Sequence, residues 1–263
     1  MQKYLFAAGY IEDALDSHVL SQQSADFYAT VGVHPCRAKE PFKDQSKSEE
    51  ENLDAYFGKI REMLSEPNHK YVAIGECGLD YDRFEYADKE TQLKVFPRHF
   101  ELTEQFGLPM YLHSRSTGGD FTRIIKENRH RFSTGVVHSF TGTAEEAKDF
   151  CDLDLYIGLN GCSLKSEENL EVVKKIPIER IMLETDCPYC DIRNSHAGSK
   201  FVETKFAKVD VKKYTPDKMV KDRNEPCSIV QVVEVLSAVL GIEPEELCEV
   251  AWKNTLNFFK LNK

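Results

Sequence analysis

No apolar run in this chain approaches the roughly 20 residues that a membrane-spanning helix needs. The expectation is a protein that works without a membrane. A basic excess is missing as well. Lys plus Arg number 34 against 44 Asp plus Glu, a formal charge of −10. That argues against a general polyanion-coating protein. It leaves a nucleic-acid enzyme open, because a metal site attracts phosphate locally. There is no internal repeat, no low-complexity tract and no clear domain boundary, so residues 1–263 are expected to form one domain. A convincing signal peptide is also lacking. Residues 4–10 are apolar, but Glu12, Asp13 and Asp16 follow at once, which suits a strand entering a helix better. The expected location is nuclear or cytoplasmic.

Eight cysteines are present, and they read as free thiols in a reducing compartment. Cys187-Pro-Tyr-Cys190 has the spacing of redox and zinc motifs, but no second pair lies at zinc-ribbon spacing. A redox or structural-zinc role is the alternative there.

What the chain does have is rhythm. Strand-like runs at 4–9, 27–33, 71–76, 109–113, 135–139, 154–159 and 180–185 alternate with amphipathic stretches. These lie at 11–23, 50–65, 89–106, 119–130, 143–151 and 167–175. A βαβα alternation implies a parallel sheet with helices outside it. Apolar residues make up 41% of the 263, enough for a large core. After Asp186 the rhythm stops. Residues 187–227 read as an extended loop, followed by terminal helices at 228–240, 243–251 and 252–259.

Several strands end on chemistry. Tyr71-Val-Ala-Ile-Gly75 leads into Glu76, with Gly78 permitting a further turn and Asp80 and Asp82 beyond. Met110-Tyr-Leu leads into His113, Val136-Val into His138, and Ile181-Met-Leu-Glu-Thr into Asp186. In a parallel barrel all strand C-termini open onto the face that carries the active site. Glu76, His113, His138 and Asp186 are therefore candidate metal ligands. A lone histidine after a strand is more often structural, but four metal-competent residues share this position. Two imidazoles and two carboxylates suit Mg²⁺, Mn²⁺ or Zn²⁺.

His34, in Thr30-Val-Gly-Val-His-Pro35, also follows a strand. It is a candidate substrate contact, or a hydrogen-bonded structural group. Arg115, two residues past His113, suits a phosphate oxygen or serves as a carboxylate partner. Residues 200–223 hold eight Lys or Arg and four Asp or Glu. This local excess reads either as phosphate steering or as an ordinary solvated loop.

The motifs Gly75-Glu-Cys-Gly-Leu-Asp80, Leu112-His113, Val137-His-Ser-Phe140 and Glu184-Thr-Asp186 resemble those of the TatD family of metal-dependent deoxyribonucleases. Asn160-Gly161, His196-Ala-Gly-Ser-Lys200 and Arg223-Asn-Glu-Pro226 resemble its eukaryotic branch. The resemblance spans essentially the whole chain. It implies an α/β fold, a TIM (β/α)8-type barrel, with up to two divalent ions and DNA as substrate. It implies that Glu76 bridges the two metals, that His113 and His138 hold one, and that Asp186 holds the other and handles protons. Family members begin with a further strand and helix. The expectation here is seven barrel strands, an N-terminally truncated form, and weakened catalysis. The alternatives are a related metal-dependent C–N hydrolase and a catalytically weak binding protein. No obligate protein partner is evident.

Overall fold

The computed structural model describes residues 3–261. The chain divides into two compact units, Met1–Val136 and Val137–Lys263.

In the first unit the strands are β1 (Tyr4–Phe6), β2 (Phe27–Val31), β3 (Tyr71–Asp80), β4 (Met110–Arg115) and β5 (Gly135–Val137), whose last residue crosses the boundary. They neighbour one another in chain order. β1 to β4 pair in parallel. Between them run α1 (Ile11–Ser21), α2 (Glu49–Ser65), α3 (Lys89–Val95), α4 (Arg98–Phe106) and α5 (Asp120–Asn128). Parallel strands need such crossovers. Ser48 and Glu51 form a reciprocal cap that starts α2. Ala14, Ala29, Val31, Phe57, Ile60 and Ile74 form one core between helices and sheet.

The second unit adds α6 (Ala144–Asp152), β6 (Tyr156–Leu159), α7 (Glu167–Val173) and β7 (Ile181–Leu183), and β6 and β7 are parallel. Beyond β7 come β8 (Lys208–Val209), β9 (Met219–Val220), α8 (Ile229–Leu240) and α9 (Pro244–Phe258). α9 is tied to β7 through Asn254, whose amide donates to the Ile181 carbonyl at 2.8 Å. Phe258 packs edge-on against Tyr156, with centroids 5.7 Å apart.

All seven expected barrel strands are present, mostly shorter than expected. Four details differ. β3 runs through Glu76 to Asp80 instead of ending at Glu76. The helix expected over 89–106 is broken between Val95 and Arg98, where Pro97 has no backbone N–H to donate and its ring crowds the carbonyl one turn back. The two helices expected at 243–251 and 252–259 are one continuous helix, α9. The loop 187–227 contains the small β8–β9 pair.

Two features of the first unit place its later strands closely. Gly75 and Gly78 have φ of +145° and +147°, and a Cβ on Gly78 would overlap the carbonyl of His113 on β4. β3 can lie this close to β4 only because side chains are missing there. The other feature is His99 in the first turn of α4. Its Nε2 accepts from the Val33 amide at 2.9 Å, and its Nδ1 donates to the Phe96 carbonyl at 3.0 Å. Those contacts specify a neutral ring and pin the backbone just before His34. Burial pushes the His99 pKa down to about 4, with backbone hydrogen bonds opposing it only in part.

Two outcomes are expected. Gly78→Ala should destabilise the fold by about 2–4 kcal/mol, combining backbone strain with overlap. Unchanged denaturant stability would show that β3 and β4 are not held this closely. For His99, the unfolded chain (pKa about 6.5) takes up a proton that the folded chain refuses. The stabilisation from keeping His99 neutral is complete above about pH 6.5 and is lost as pH falls towards 4, by up to about 3 kcal/mol. The stability gap between wild type and His99→Gln should therefore narrow across that window. A gap independent of pH would contradict the assignment.

Candidate metal and catalytic site

In the first unit the register between β3 and β4 shifts between Gly75 and Cys77, which face Tyr111 and Leu112, so Glu76 is the extra residue of a bulge. Such bulges re-aim a side chain. The peptide bond between Gly75 and Glu76 is cis, and the Glu76 amide donates to the Ala8 carbonyl at 3.0 Å. The Glu76 carboxylate meets two imidazoles. Its Oε1 lies 2.8 Å from His113 Nδ1 and 3.2 Å from His34 Nε2. The two rings stand edge to face with centroids 4.7 Å apart. Ligand atoms of His34, Glu76 and His113 all lie within 4.8 Å of one another.

The protons in this cluster can be counted. His34 Nδ1 accepts from the Cys36 amide at 3.0 Å, so in the neutral ring Nε2 carries the hydrogen and donates to Glu76. Burial opposes a charge on His34, but the Glu76 carboxylate outweighs it, and the pKa lies above the ordinary histidine value. His113 is different, because it has a carboxylate on both sides. Its Nε2 lies 3.1 Å from Asp80 Oδ2. A neutral imidazole has one hydrogen, so one of these two contacts would set lone pair against lone pair. An added positive charge resolves this, as a second ring proton or as a divalent cation that His113 and Glu76 would help to hold. A ligating histidine that donates its other N–H to a carboxylate is the usual support of a metal site. The donor set therefore fits a divalent ion.

Asp80 carries no role in the sequence reading. Its side chain is almost fully buried. Burial raises its pKa, but the His113 hydrogen bond and charge more than offset this, and the net shift is downwards. Gln92 clamps its backbone from α3, accepting from its amide and donating to its carbonyl, each at 2.8 Å. The signal was available, since residues 76 and 80 share a face if the strand continues. Gly78 read as a turn concealed it. Arg115 donates through Nε to Asp82 at 3.0 Å, with both side chains substantially exposed.

His138 and Asp186 lie in the second unit. His138 is buried just after β5, and its Nδ1 is 3.7 Å from Glu184 Oε1. Glu184 accepts from the Ser139 amide at 2.5 Å and from the Asn160 side-chain amide at 3.0 Å. The Asn160 side-chain oxygen, Oδ1, in turn accepts from the Cys162 amide at 2.8 Å. Ser139 and Asp186 both adopt left-handed backbone, φ 48° and 51°, which non-glycine residues hold mainly where surrounding structure over-determines them. Asp186 Oδ2 accepts from the Cys190 thiol at 3.1 Å. The Cys190 sulfur is also 2.9 Å from that of Cys162. The geometry orders the hydrogens as a chain, the Cys162 thiol donating to the Cys190 sulfur and the Cys190 thiol to Asp186. The sequence reading quoted Glu184 and Asn160 only within motifs and did not single out Cys162. Of the eight basic residues at 200–223, Lys200, Lys208, Lys221 and Arg223 pair with Glu167, Asp191, Asp210 and Glu225.

The family model described as TatD related DNase matches residues 5–260. The protein named deoxyribonuclease Tat-D from Schizosaccharomyces pombe is 38% identical over 262 residues, covering 98% of this chain and 82% of its own length. A Bacillus subtilis protein named uncharacterized metal-dependent hydrolase YabD is 29% identical over 237 residues, covering 89% of this chain and 78% of its own. Among solved structures, a hydrolase of the TatD family from Entamoeba histolytica superposes with a TM-score of 0.85 at 34% identity, over 98% of this chain and 84% of that one. The fold is thus α/β of the TIM-barrel type, with the seven parallel strands described above. The match extends over nearly every described residue and includes the strands that carry Glu76, His113, His138 and Asp186, so the chain belongs to the family of TatD-related DNases.

Proposed function

We propose that this chain is a divalent-metal-dependent nuclease that hydrolyses phosphodiester bonds of DNA. One observation carries the metal reading: His113 stands between the Glu76 and Asp80 carboxylates, with one more acceptor facing it than a neutral ring can serve. Membership in the family and the name of the Schizosaccharomyces pombe relative support DNA as substrate.

Glu76, His113, His138 and Asp186 are assigned as metal ligands, for Mg²⁺, Mn²⁺ or Zn²⁺ and up to two ions. When bound, a divalent ion supplies Lewis-acid polarisation of the phosphate and acidifies water. The chain's own groups do the rest. Asp80 orients the His113 ring and raises its basicity. His34 donates to Glu76 and holds the carboxylate's direction, and it is also proposed to contact substrate. Asp186 orients the attacking water and takes its proton. Arg115, steadied by Asp82, contacts a phosphoryl oxygen.

Substitution should separate these roles. Asp80→Asn should weaken metal binding by about 10–100-fold, and His113→Ala by more. Asp186→Asn should lower DNA hydrolysis by about 10²-fold or more while largely retaining the ion held by the histidines. Metal content by elemental analysis and rates on end-labelled single-stranded DNA check this. Full activity in Asp186→Asn would remove its catalytic role, and unaltered metal binding in both Asp80→Asn and His113→Ala would remove the metal reading.

A further inference from the structure

The geometry points to a reversible disulfide between Cys162 and Cys190 that switches the hydrolytic site through Asp186. The C-x-x-C spacing nominates Cys187 as the partner of Cys190, but the sulfur beside Cys190 is that of Cys162, 2.9 Å away and 28 residues earlier in the chain. Both cysteines are unbridged and partly exposed. A disulfide bond is about 2.05 Å long, so the sulfurs need to approach by less than roughly 1 Å. The backbone already holds them together. A Cβ on Gly161 would overlap the Cys190 carbonyl, so the segment that carries Cys162 lies against the segment that carries Cys190. The Asn160 side chain accepts from the Cys162 amide and holds that backbone in place.

The oxidant is hydrogen peroxide. The Cys162 sulfur, having lost its proton, attacks one peroxide oxygen. An S–O bond forms, the O–O bond breaks, and the departing hydroxide takes up that proton as water. The Cys190 sulfur then attacks the sulfenic sulfur. The S–S bond forms, the S–O bond breaks, and hydroxide leaves with the Cys190 proton as a second water. Two thiols lose two electrons, and one peroxide becomes two waters. A dithiol reductant reverses the bond by exchange.

The consequence reaches Asp186. In the reduced chain the Cys190 thiol donates to Asp186 Oδ2 at 3.1 Å. In the disulfide that hydrogen is gone, and sulfur lone pairs face the carboxylate instead. This part rests on the catalytic role proposed above for Asp186. Oxidation should therefore slow DNA hydrolysis at least tenfold, reversibly.

The experiment treats the full chain, loaded with Mg²⁺ or Mn²⁺, with a few equivalents of hydrogen peroxide. Peptides are mapped under non-reducing conditions, and the DNA hydrolysis rate is measured before oxidation, after it, and after dithiothreitol. A Cys162–Cys190 cross-link with a reversible loss of rate supports the switch. Cys162→Ser should keep the reduced-state rate and lose peroxide sensitivity, whereas Cys187→Ser should behave as wild type. A Cys187–Cys190 cross-link, or over-oxidation without any cross-link, overturns the disulfide. A Cys162–Cys190 cross-link that leaves the rate unchanged overturns the switch. A reduced, metal-loaded chain that hydrolyses no DNA counts against the nuclease reading, while the peptide map still decides the disulfide.

Discussion

A carboxylate on a buried strand must have its charge answered, and the arrangement of the first unit follows from how Glu76 is answered. A bare carboxylate in that position costs several kcal/mol. Here two imidazoles face it, and one of them is backed by a second carboxylate, Asp80. The cluster is therefore rich in acceptors and short of positive charge. Such a set would suit a cation, which, like a second proton on His113, relieves the conflict between the ring and one of its two carboxylates.

The scaffold around Glu76 is organised to keep that geometry. The register shift in β3 turns Glu76 out of the ladder, and the glycines at 75 and 78 let β3 approach β4 closely enough for His113 to reach it. His99, neutral and buried, anchors the segment before His34, and Gln92 anchors Asp80. The His99 and Gln92 contacts are to backbone, so they fix the positions from which His34 and Asp80 project rather than those side chains themselves. In the second unit a parallel device operates. Glu184 takes hydrogen bonds from the Ser139 amide and Asn160, which sets the chain immediately after His138. Asp186 is presented from left-handed backbone two residues further on.

Much of this was legible in the sequence, for identifiable reasons. Buried parallel strands appear as short apolar runs, so all seven could be read, with ends misjudged by a few residues. Strand-terminal His, Glu and Asp stood out because polar groups interrupt such runs rarely. Asp80 did not, because Gly78 has two meanings: it can end a strand, or let one pass close to a neighbour, and only the His113 carbonyl on β4 decides. Pro97 was a visible break that helical periodicity on both sides masked. The Cys162–Cys190 contact had no local signal at all. It joins residues 28 apart, and the nearer Cys187 offered a familiar spacing instead.

The central claim is that hydrolysis depends on a divalent cation gathered by this acceptor-rich cluster. The most direct measurement is the hydrolysis rate of labelled single-stranded DNA by chelator-treated protein, with Mg²⁺, Mn²⁺ or Zn²⁺ added back, for wild type beside Glu76→Gln. The account predicts loss on chelation, recovery with at least one ion in the wild type, and no recovery in Glu76→Gln despite normal folding. Hydrolysis that survives chelation, or recovers equally in Glu76→Gln, would contradict it.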